Sequence, residues 1–267
     1  MIDEICHEEQ IETTWFSDDW FVMLEQNGKR RYVYGHTFDL NSTAAAAIAQ
    51  DKCATYSILS SQDIPAVEHQ IYYEQNNTAP YASVFKGPEY LQQYFEAHHR
   101  HIVVKPNQGS GGGNVYQLTS LDQAEKLLDR IFHQGYAAAL CPFYDILHEY
   151  RVILLDGELQ LAYQKTRGAD WRFNLAAGAT AEPIPDPEFE QQIVRLAQRA
   201  AKTLNLRFTS VDVIQTRDKA LKIIEVNAGV MIDHYIDQHP DERDKVKDIY
   251  RRAVRKMFAN PSLSNAE

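Results

Sequence analysis

The stretch Ile223-Ile224-Glu225-Val226-Asn227 decides the fold, together with Asp212 in the apolar run from Phe208 to Ile214 that precedes it. Alternate residues of a β-strand point to the same face, so Glu225 and Asn227 lie on one side. The short polar stretch between the two runs predicts a tight turn, and a turn centred between residues 218 and 219 places Asp212 opposite Glu225. Three oxygen ligands on one patch suit Mg²⁺. A solvated polar face on a two-stranded edge would show the same pattern.

A second motif combines a short β-branched run with a glycine-rich loop. The run His101-Ile-Val-Val-Lys105-Pro106 is followed by Asn107-Gln-Gly-Ser-Gly-Gly-Gly-Asn-Val-Tyr116. Glycines let backbone amides approach phosphate oxygens, because no Cβ stands in the way. The loop is neither a Walker A loop nor a dinucleotide fingerprint, since no Lys-Ser/Thr follows the glycines and the loop leads into a strand pattern. An ordinary glycine-rich hairpin would look the same.

These segments resemble the ATP-grasp superfamily, in particular its glutathione synthetase and ribosomal-protein glutamate ligase branch. Five matching pieces follow one another in the family's order, over roughly residues 41 to 235. They are Asp51-Lys52 with Ile64-Pro65-Ala66-Val67, the Val104-to-Gly112 segment, Glu149 to Glu158, Arg172 to Gly178 with Glu182-Pro183, and the metal strands Val211-Asp212 and Ile224 to Asn227. Each piece is weak alone, and the order makes the set specific.

The resemblance implies an α+β protein with the ATP-grasp fold, in which two α+β lobes clasp ATP. The N-terminal region is reduced and is predicted to be a short hairpin region, residues 1–40, around Asn27-Gly28. Residues 41–141 are predicted to form the small lobe with the glycine-rich lid, and residues 142–267 the large lobe with the metal site. We expect the hairpin to dock on the large lobe or on a second subunit, and a homodimer follows from the latter.

The resemblance also implies roles for individual residues toward ATP and Mg²⁺, with Mn²⁺ as an alternative ion. The nucleotide would be held by the lysines Lys52 and Lys105, the lid residues Gly109, Ser110, Gly111, Gly112 and Gly113, the hinge residues Phe143 and Tyr144, and Glu149 and Asn174. The metal ligands would be Asp212, Glu225 and Asn227. The residues that steady the reacting acylphosphate would be Arg172 and Arg151. Glu149 and Arg151 share a strand face, so a simple ion pair between them is an alternative to these two roles.

The implied function is an ATP-dependent carboxylate–amine ligase that forms an amide or peptide bond through an acylphosphate and releases ADP and phosphate. An ATP-grasp small-molecule kinase and a non-catalytic nucleotide-binding protein are the alternatives. The substrates would be small carboxylates and amines, amino-acid or peptide-like. After Asn227 the chain reads Ala228-Gly229-Val230-Met231, where the branch usually has serine or proline, which leaves the acceptor open.

Composition agrees with a soluble enzyme. At 44% hydrophobic residues, the 267-residue chain can bury a sizeable core. A formal net charge of −10 argues against nucleic-acid binding. No apolar run reaches the roughly 18 residues that a membrane span needs. The cysteines at 6, 53 and 141 are scattered and odd in number, which indicates reduced thiols and a cytoplasmic location without a membrane partner.

Overall fold

The computed structural model describes residues 1–74, 86–109, 113–169 and 171–259, and these form an α+β protein with three antiparallel sheets, as the sequence predicts. The helices are α1 Ile2–Glu8, α2 Thr43–Gln50, α3 Lys52–Ser61, α4 Pro88–Ala97, α5 Ala124–Phe132, α6 Pro187–Thr203, α7 Asp233–Gln238 and α8 Arg243–Phe258. The strands are β1 Glu12–Phe16, β2 Phe21–Gln26, β3 Lys29–Tyr34, β4 Thr37–Phe38, β5 Gln70–Tyr72, β6 Ile102–Pro106, β7 Tyr116–Leu118, β8 Ala138–Pro142, β9 Ile146–Leu155, β10 Glu158–Thr166, β11 Thr180–Glu182, β12 Phe208–Thr216 and β13 Leu221–Asn227.

The largest sheet has the order β11-β10-β9-β12-β13 and separates two hydrophobic cores. On one face, Val152, Val211 and their neighbours pack against α6, α2 and α3. On the other face, Ile153 and Tyr163 pack against α8 and the N-terminal region. The helices α2 and α3, which belong to the predicted small lobe, share the first of these cores with the large sheet. The division into lobes by function stays a prediction.

The smaller sheet, of order β5-β8-β6-β7, carries α4 and α5 on one face, where Ile102, Val104 and Leu140 are buried. Its other face meets the large sheet. There Val103 and Cys141 pack with Ile214 of β12 in a small apolar cluster between the two sheets. Val67 of this cluster also lines a cleft beside α3 and β13, together with Lys52 and Glu225.

The N-terminal region is larger than the predicted hairpin. The β2–β3 hairpin forms as expected, with Asn27 and Gly28 at φ 51° and 71°, and β1 and β4 extend it to a four-stranded sheet. Val22, Leu24 and Val33 on its inner face are buried with residues of α8. Ion pairs add to this contact, for example Arg243–Glu4 at 2.6 Å and Arg255–Glu9 at 2.8 Å. The region docks on the large sheet, which was one of the two expected partners.

Local signals account for the starts of α2 and α3. The Ser42 hydroxyl accepts a hydrogen bond from the Ala45 amide at 3.2 Å, and the Asp51 carboxylate accepts one from the Ala54 amide at 2.8 Å, so both residues act as N-caps. The sequence Ser120-Leu-Asp-Gln123 is typical of a capping box but does not form one: the Ser120 hydroxyl donates to the Asp122 carboxylate at 3.3 Å, and a 3-10 turn precedes α5. The polar stretch of residues 75–83, whose composition predicts a loop, lies outside the described residues. No helix in the described ranges is long and apolar enough to cross a membrane.

Candidate active site

The β12–β13 hairpin pairs Asp212 with Glu225, which confirms the predicted register. The position of the turn differs from the prediction, which centred it between residues 218 and 219. Gln215 pairs with Leu221, so the turn is centred on residue 218, and a register shift next to Asp212 restores the expected pair. An extra residue on one strand bends it and re-aims the neighbouring side chains. The bulge therefore lets Glu225 and Asn227 keep the face that Asp212 occupies.

Asp212 is the centre of a buried charge network. Arg151 on the neighbouring strand β9 binds it through two parallel bonds, Nε to Oδ1 at 2.9 Å and Nη2 to Oδ2 at 2.7 Å. Lys165 on β10 donates to Asp212 Oδ1 at 2.8 Å and to Glu149 Oε1 at 2.6 Å. Two cations and two carboxylates thus neutralise one another on one face of the large sheet. Glu149 and Arg151 share a strand face as expected, but each pairs with another residue.

Burial and charge oppose each other in this network. Burial would raise the pKa of Asp212, but Arg151 and Lys165 outweigh it, and the pKa lies below its ordinary value. For Glu149, burial outweighs the attraction of Lys165 and raises the pKa above its ordinary value. Burial lowers the pKa of Lys165, yet the two carboxylates hold it above its ordinary value. Asp212 is therefore the firmly ionised carboxylate, and Glu149 is the one most ready to take a proton.

Lys52 joins the start of the glycine-rich loop to the metal strand. Its ammonium donates to the Gly109 carbonyl at 2.8 Å and lies 3.6 Å from Glu225 Oε1, with the side chain only 8% exposed. Asn107 fixes this end of α3, since its side chain accepts from the Cys53 amide at 3.1 Å and its carbonyl from the Lys52 amide at 3.2 Å. Burial lowers the pKa of Lys52, and Glu225 opposes this effect. Lys105 on β6 is also buried.

The segment after β8, where the nucleotide base is predicted, lies beside the apolar cluster. The Phe143 ring stacks face to face on His101, with ring centroids 3.8 Å apart and an interplanar angle of 7°. Phe143 and Tyr144 both pack against the cluster, as does Trp171. Burial raises the pKa of the Tyr144 hydroxyl, which keeps it neutral. The arrangement offers a flat apolar surface at the end of the cleft.

The loop that follows β10 carries the Arg-x-Asn motif. Arg172 and Asn174 are half-buried, and the Asn174 side chain accepts from the Ala176 amide at 3.0 Å, so it caps a short 3-10 helix. Gly168 approaches Gly178 so closely that a Cβ at Gly168 would lie 2.5 Å from the Gly178 carbonyl oxygen. Close backbone packing therefore sets the course of this loop. Within the lid, Gly109 and Gly113 are described, whereas Ser110, Gly111 and Gly112 lie outside the described residues.

Comparison with known proteins identifies the family. A family model for the RimK-like ATP-grasp domain matches residues 49–241. The chain belongs to this ATP-grasp family. Two curated relatives are both ligases. Alpha-aminoadipate–LysW ligase LysX of Saccharolobus solfataricus is 21% identical over 196 residues, 70% of this chain and 64% of the relative. Glutathione synthetase of Vibrio vulnificus is 30% identical over 140 residues, 50% of this chain and 42% of the relative.

The solved structures agree on the ATP-grasp fold. D-alanine–D-alanine ligase from Bacillus anthracis, solved with ATP, matches with a TM-score of 0.61 at 16% identity, over 81% of this chain and 70% of that one. At this identity the match concerns the fold alone. The chain spans less than two thirds of the length of the two curated ligases.

The donor chemistry of the ATP-grasp metal strands fits Mg²⁺. Glu225 and Asn227 supply oxygen donors and remain partly exposed. Asp212 is buried, and its oxygens already accept three hydrogen bonds from Arg151 and Lys165. A carboxylate has about four lone-pair positions, so one is left on Oδ2 for a metal. The described residues hold no group of three or more His, Cys, Asp or Glu side chains arranged for a metal. The fit to Mg²⁺ therefore depends on the Asn227 amide oxygen beside the Asp212 and Glu225 carboxylates.

Two polar residues of the cleft were not predicted. Lys165 completes the charge network, and the sequence carried a signal for it, because Leu161, Tyr163 and Lys165 alternate on one face of β10 and all are buried. His69 is buried beside β5, and its Nε2 has no hydrogen-bond partner among the described residues. It stands in the irregular stretch before a short strand, where periodicity gives no signal.

Proposed function

We propose that this protein is an ATP- and Mg²⁺-dependent carboxylate–amine ligase that forms an amide bond through an acylphosphate. The observation that carries the proposal is the position of Lys52. One buried ammonium contacts both the Gly109 carbonyl, where the glycine-rich loop begins, and Glu225 of the metal strand. A phosphate chain held between that loop and that strand would lie beside a fixed positive charge. Membership of the ATP-grasp family supports the same reading.

Binding of the nucleotide follows from the residues that line the cleft. Lys52 and Lys105 act as point charges for the α- and β-phosphates. The lid residues Gly109 to Gly113 supply backbone amides to the terminal phosphates. The base lies against Phe143 and Tyr144, whose apolar surroundings exclude water. Bound Mg²⁺ would neutralise the charge that develops on the transferring phosphoryl group.

The chemistry needs two displacements. A carboxylate oxygen of the acid attacks the γ-phosphorus, the bond from that phosphorus to the ADP oxygen breaks, and ADP leaves. The amine nitrogen then attacks the acyl carbon, the carbon–oxygen bond to phosphate breaks, and the amine loses a proton. Inorganic phosphate therefore carries one oxygen of the acid. Positioning and charge neutralisation supply most of such catalysis, and Arg172 at the cleft serves the acylphosphate.

Arg151 takes a different role in this proposal from the one first expected. Both of its hydrogen bonds go to Asp212, so it orients the metal-strand carboxylate and contacts the reacting groups only through it. Glu149 keeps its predicted place near the ribose, with Lys165 as its counter-ion. The substrate class is a small acid and a small amine, amino-acid or peptide-like, as the two ligase relatives suggest.

A paired screen tests the proposal. The full chain, ATP and Mg²⁺ are incubated with amino acids and small acids, singly and in pairs, and released phosphate is measured against a Glu225→Gln control. The proposal expects phosphate release that requires both an acid and an amine, with ADP as the nucleotide product. Phosphorylation of a single compound without an amine would indicate a kinase instead. Nucleotide binding without turnover for any pair would indicate a non-catalytic protein.

A further inference from the structure

His69 holds an unsatisfied buried acceptor. The residue is 4% exposed, and a hydrogen bond to the Val67 backbone occupies one edge of the ring. Among the described residues, Nε2 on the other edge has no partner. A buried polar atom left without a hydrogen bond costs about 1–3 kcal/mol, so such atoms usually have a function or an absent partner.

Strand register and packing place this ring next to the nucleotide side of the small sheet. Ile71 pairs with Ala139 of β8, which in turn pairs with Lys105 of β6. Residues opposite each other share a face, and so do residues two apart on a strand. His69 itself precedes β5, but Val67, two residues before it, packs with Val103 of β6 in the apolar cluster on this side of the sheet. Val103 and Lys105 are two apart on β6 and share that face, so His69 stands next to a segment that packs on the Lys105 side. The cleft that His69 lines also contains Lys52 and Glu225.

Lys105 is the matching unsatisfied donor. Its side chain is buried, yet within the described ranges no hydrogen bond or ion pair of its ammonium is seen, whereas Lys52 has the Gly109 carbonyl and Glu225. Burial, followed by the positive charges of Lys105 and Lys52, holds the pKa of His69 well below its ordinary value. The ring is therefore neutral. Since the ring donates to the Val67 backbone through its other nitrogen, Nε2 is left as an acceptor within the influence of two positive charges.

We propose that His69 is a positioning residue for the nucleotide phosphates: once a nucleotide is bound, its unpaired Nε2 accepts a hydrogen bond from the Lys105 ammonium and holds that ammonium in the cleft. A lysine ammonium has three donors on a flexible four-carbon stem. Anchoring one donor on a neutral acceptor leaves the other two, and the full charge, for phosphate oxygens. A carboxylate in place of His69 would neutralise that charge. The inference rests on the proposed function, because it assigns the cleft to a nucleotide.

Three substitutions of His69 distinguish the contribution of Nε2 from that of Nδ1. His69→Gln puts an amide oxygen within reach of the Nε2 position, His69→Asn reaches only the Nδ1 position, and His69→Leu provides no acceptor. Affinity for MgADP is measured by titration calorimetry, with the melting temperature of each nucleotide-free protein as a check of folding. We expect about tenfold weaker binding for the Leu and Asn variants, which corresponds to about 1.4 kcal/mol, and binding within about threefold of the unsubstituted chain for Gln.

A double-mutant cycle with Lys105→Met then asks whether His69 acts through Lys105. Lys105→Met alone should weaken MgADP binding, and adding His69→Leu to it should change the affinity by less than about twofold. A full further tenfold loss in the Lys105→Met background would overturn the inference, as would a Gln variant that binds no better than Leu. If the unsubstituted chain binds MgADP normally, either result refutes only the His69 assignment. If it binds no nucleotide at all, the proposed function fails and the inference with it.

Discussion

Replacing Lys165 by methionine probes the charge network most directly. The Lys165 ammonium lies 2.6 Å from Glu149 and 2.8 Å from Asp212, and the side chain is 5% exposed. Removing one partner of a buried ion pair typically costs about 3–5 kcal/mol, because the remaining charge stays buried without its counter-ion. Asp212 retains Arg151, so the loss falls mainly on Glu149. We therefore expect a fall of about 3 kcal/mol in the free energy of unfolding at pH 7, measured by urea denaturation.

The effect of Lys165→Met should depend on pH. Burial already raises the pKa of Glu149, and loss of the lysine charge raises it further. A carboxyl whose pKa is higher in the folded state contributes stability below its unfolded pKa, and this stability is lost as pH rises through the folded pKa. The destabilisation of the variant should consequently be larger at pH 8 than at pH 5. A destabilisation that is equal at both pH values would contradict the assignment of Glu149 as the stranded charge.

Two controls make this prediction specific. Lys202→Met removes an exposed lysine from α6 and should change the free energy of unfolding by no more than about 0.5 kcal/mol. Glu149→Gln added to Lys165→Met removes the stranded charge and should recover part of the lost stability. A Lys165→Met protein within about 1 kcal/mol of the unsubstituted chain, or a double variant less stable than the single one, would refute the reasoning.

Three further predictions concern the metal strand, the N-terminal sheet and the Arg-x-Asn loop. Glu225→Gln should abolish most Mg²⁺-dependent phosphate release, a loss of several kcal/mol in transition-state stabilisation, while the melting temperature changes little; normal turnover at low Mg²⁺ would contradict this. Leu24→Ala should cost about 2–5 kcal/mol in urea denaturation, since Leu24 is fully buried in the core shared with α8; a cost under 1 kcal/mol would show that the sheet is dispensable. Gly168→Ala should displace the loop from Gly178, lower the free energy of unfolding by about 1–3 kcal/mol and lower kcat/KM. If neither the free energy of unfolding nor kcat/KM changes, the loop adjusts freely.

Features that depend on local chemistry could be predicted from the sequence. The Asn27-Gly28 turn follows from residues that tolerate positive φ, and the caps at Ser42 and Asp51 follow from side-chain oxygens placed before apolar helices. The pairing of Asp212 with Glu225 follows from the two-residue period of strands. The bulge beside Asp212 could not be foreseen, because only the three-dimensional sheet reveals which strand carries the extra residue.

Features that depend on contacts between distant segments escaped prediction. Lys165 alternates with Leu161 and Tyr163, which indicates a buried face, but its role depends on Asp212, 47 residues away in the sequence. The two hydrogen bonds from Arg151 to Asp212, 61 residues away, were not predicted. The N-terminal sheet was underestimated, because the sequence of β1, Glu-Thr-Thr-Trp-Phe, shows little alternation of polar and apolar residues, and the strand is recognised only by its pairing with β2. In each of these cases the structure is set by pairing with a distant segment, which the local sequence does not reveal.

The most direct test of the proposed reaction follows one oxygen atom. The acid that the paired screen identifies is labelled with ¹⁸O in its carboxylate and incubated with the amine, ATP, Mg²⁺ and the full chain. The released phosphate is then analysed by mass spectrometry. Transfer through an acylphosphate predicts one ¹⁸O atom in each phosphate released, with ADP as the nucleotide product. Phosphate without label, or AMP in place of ADP, would contradict the central claim.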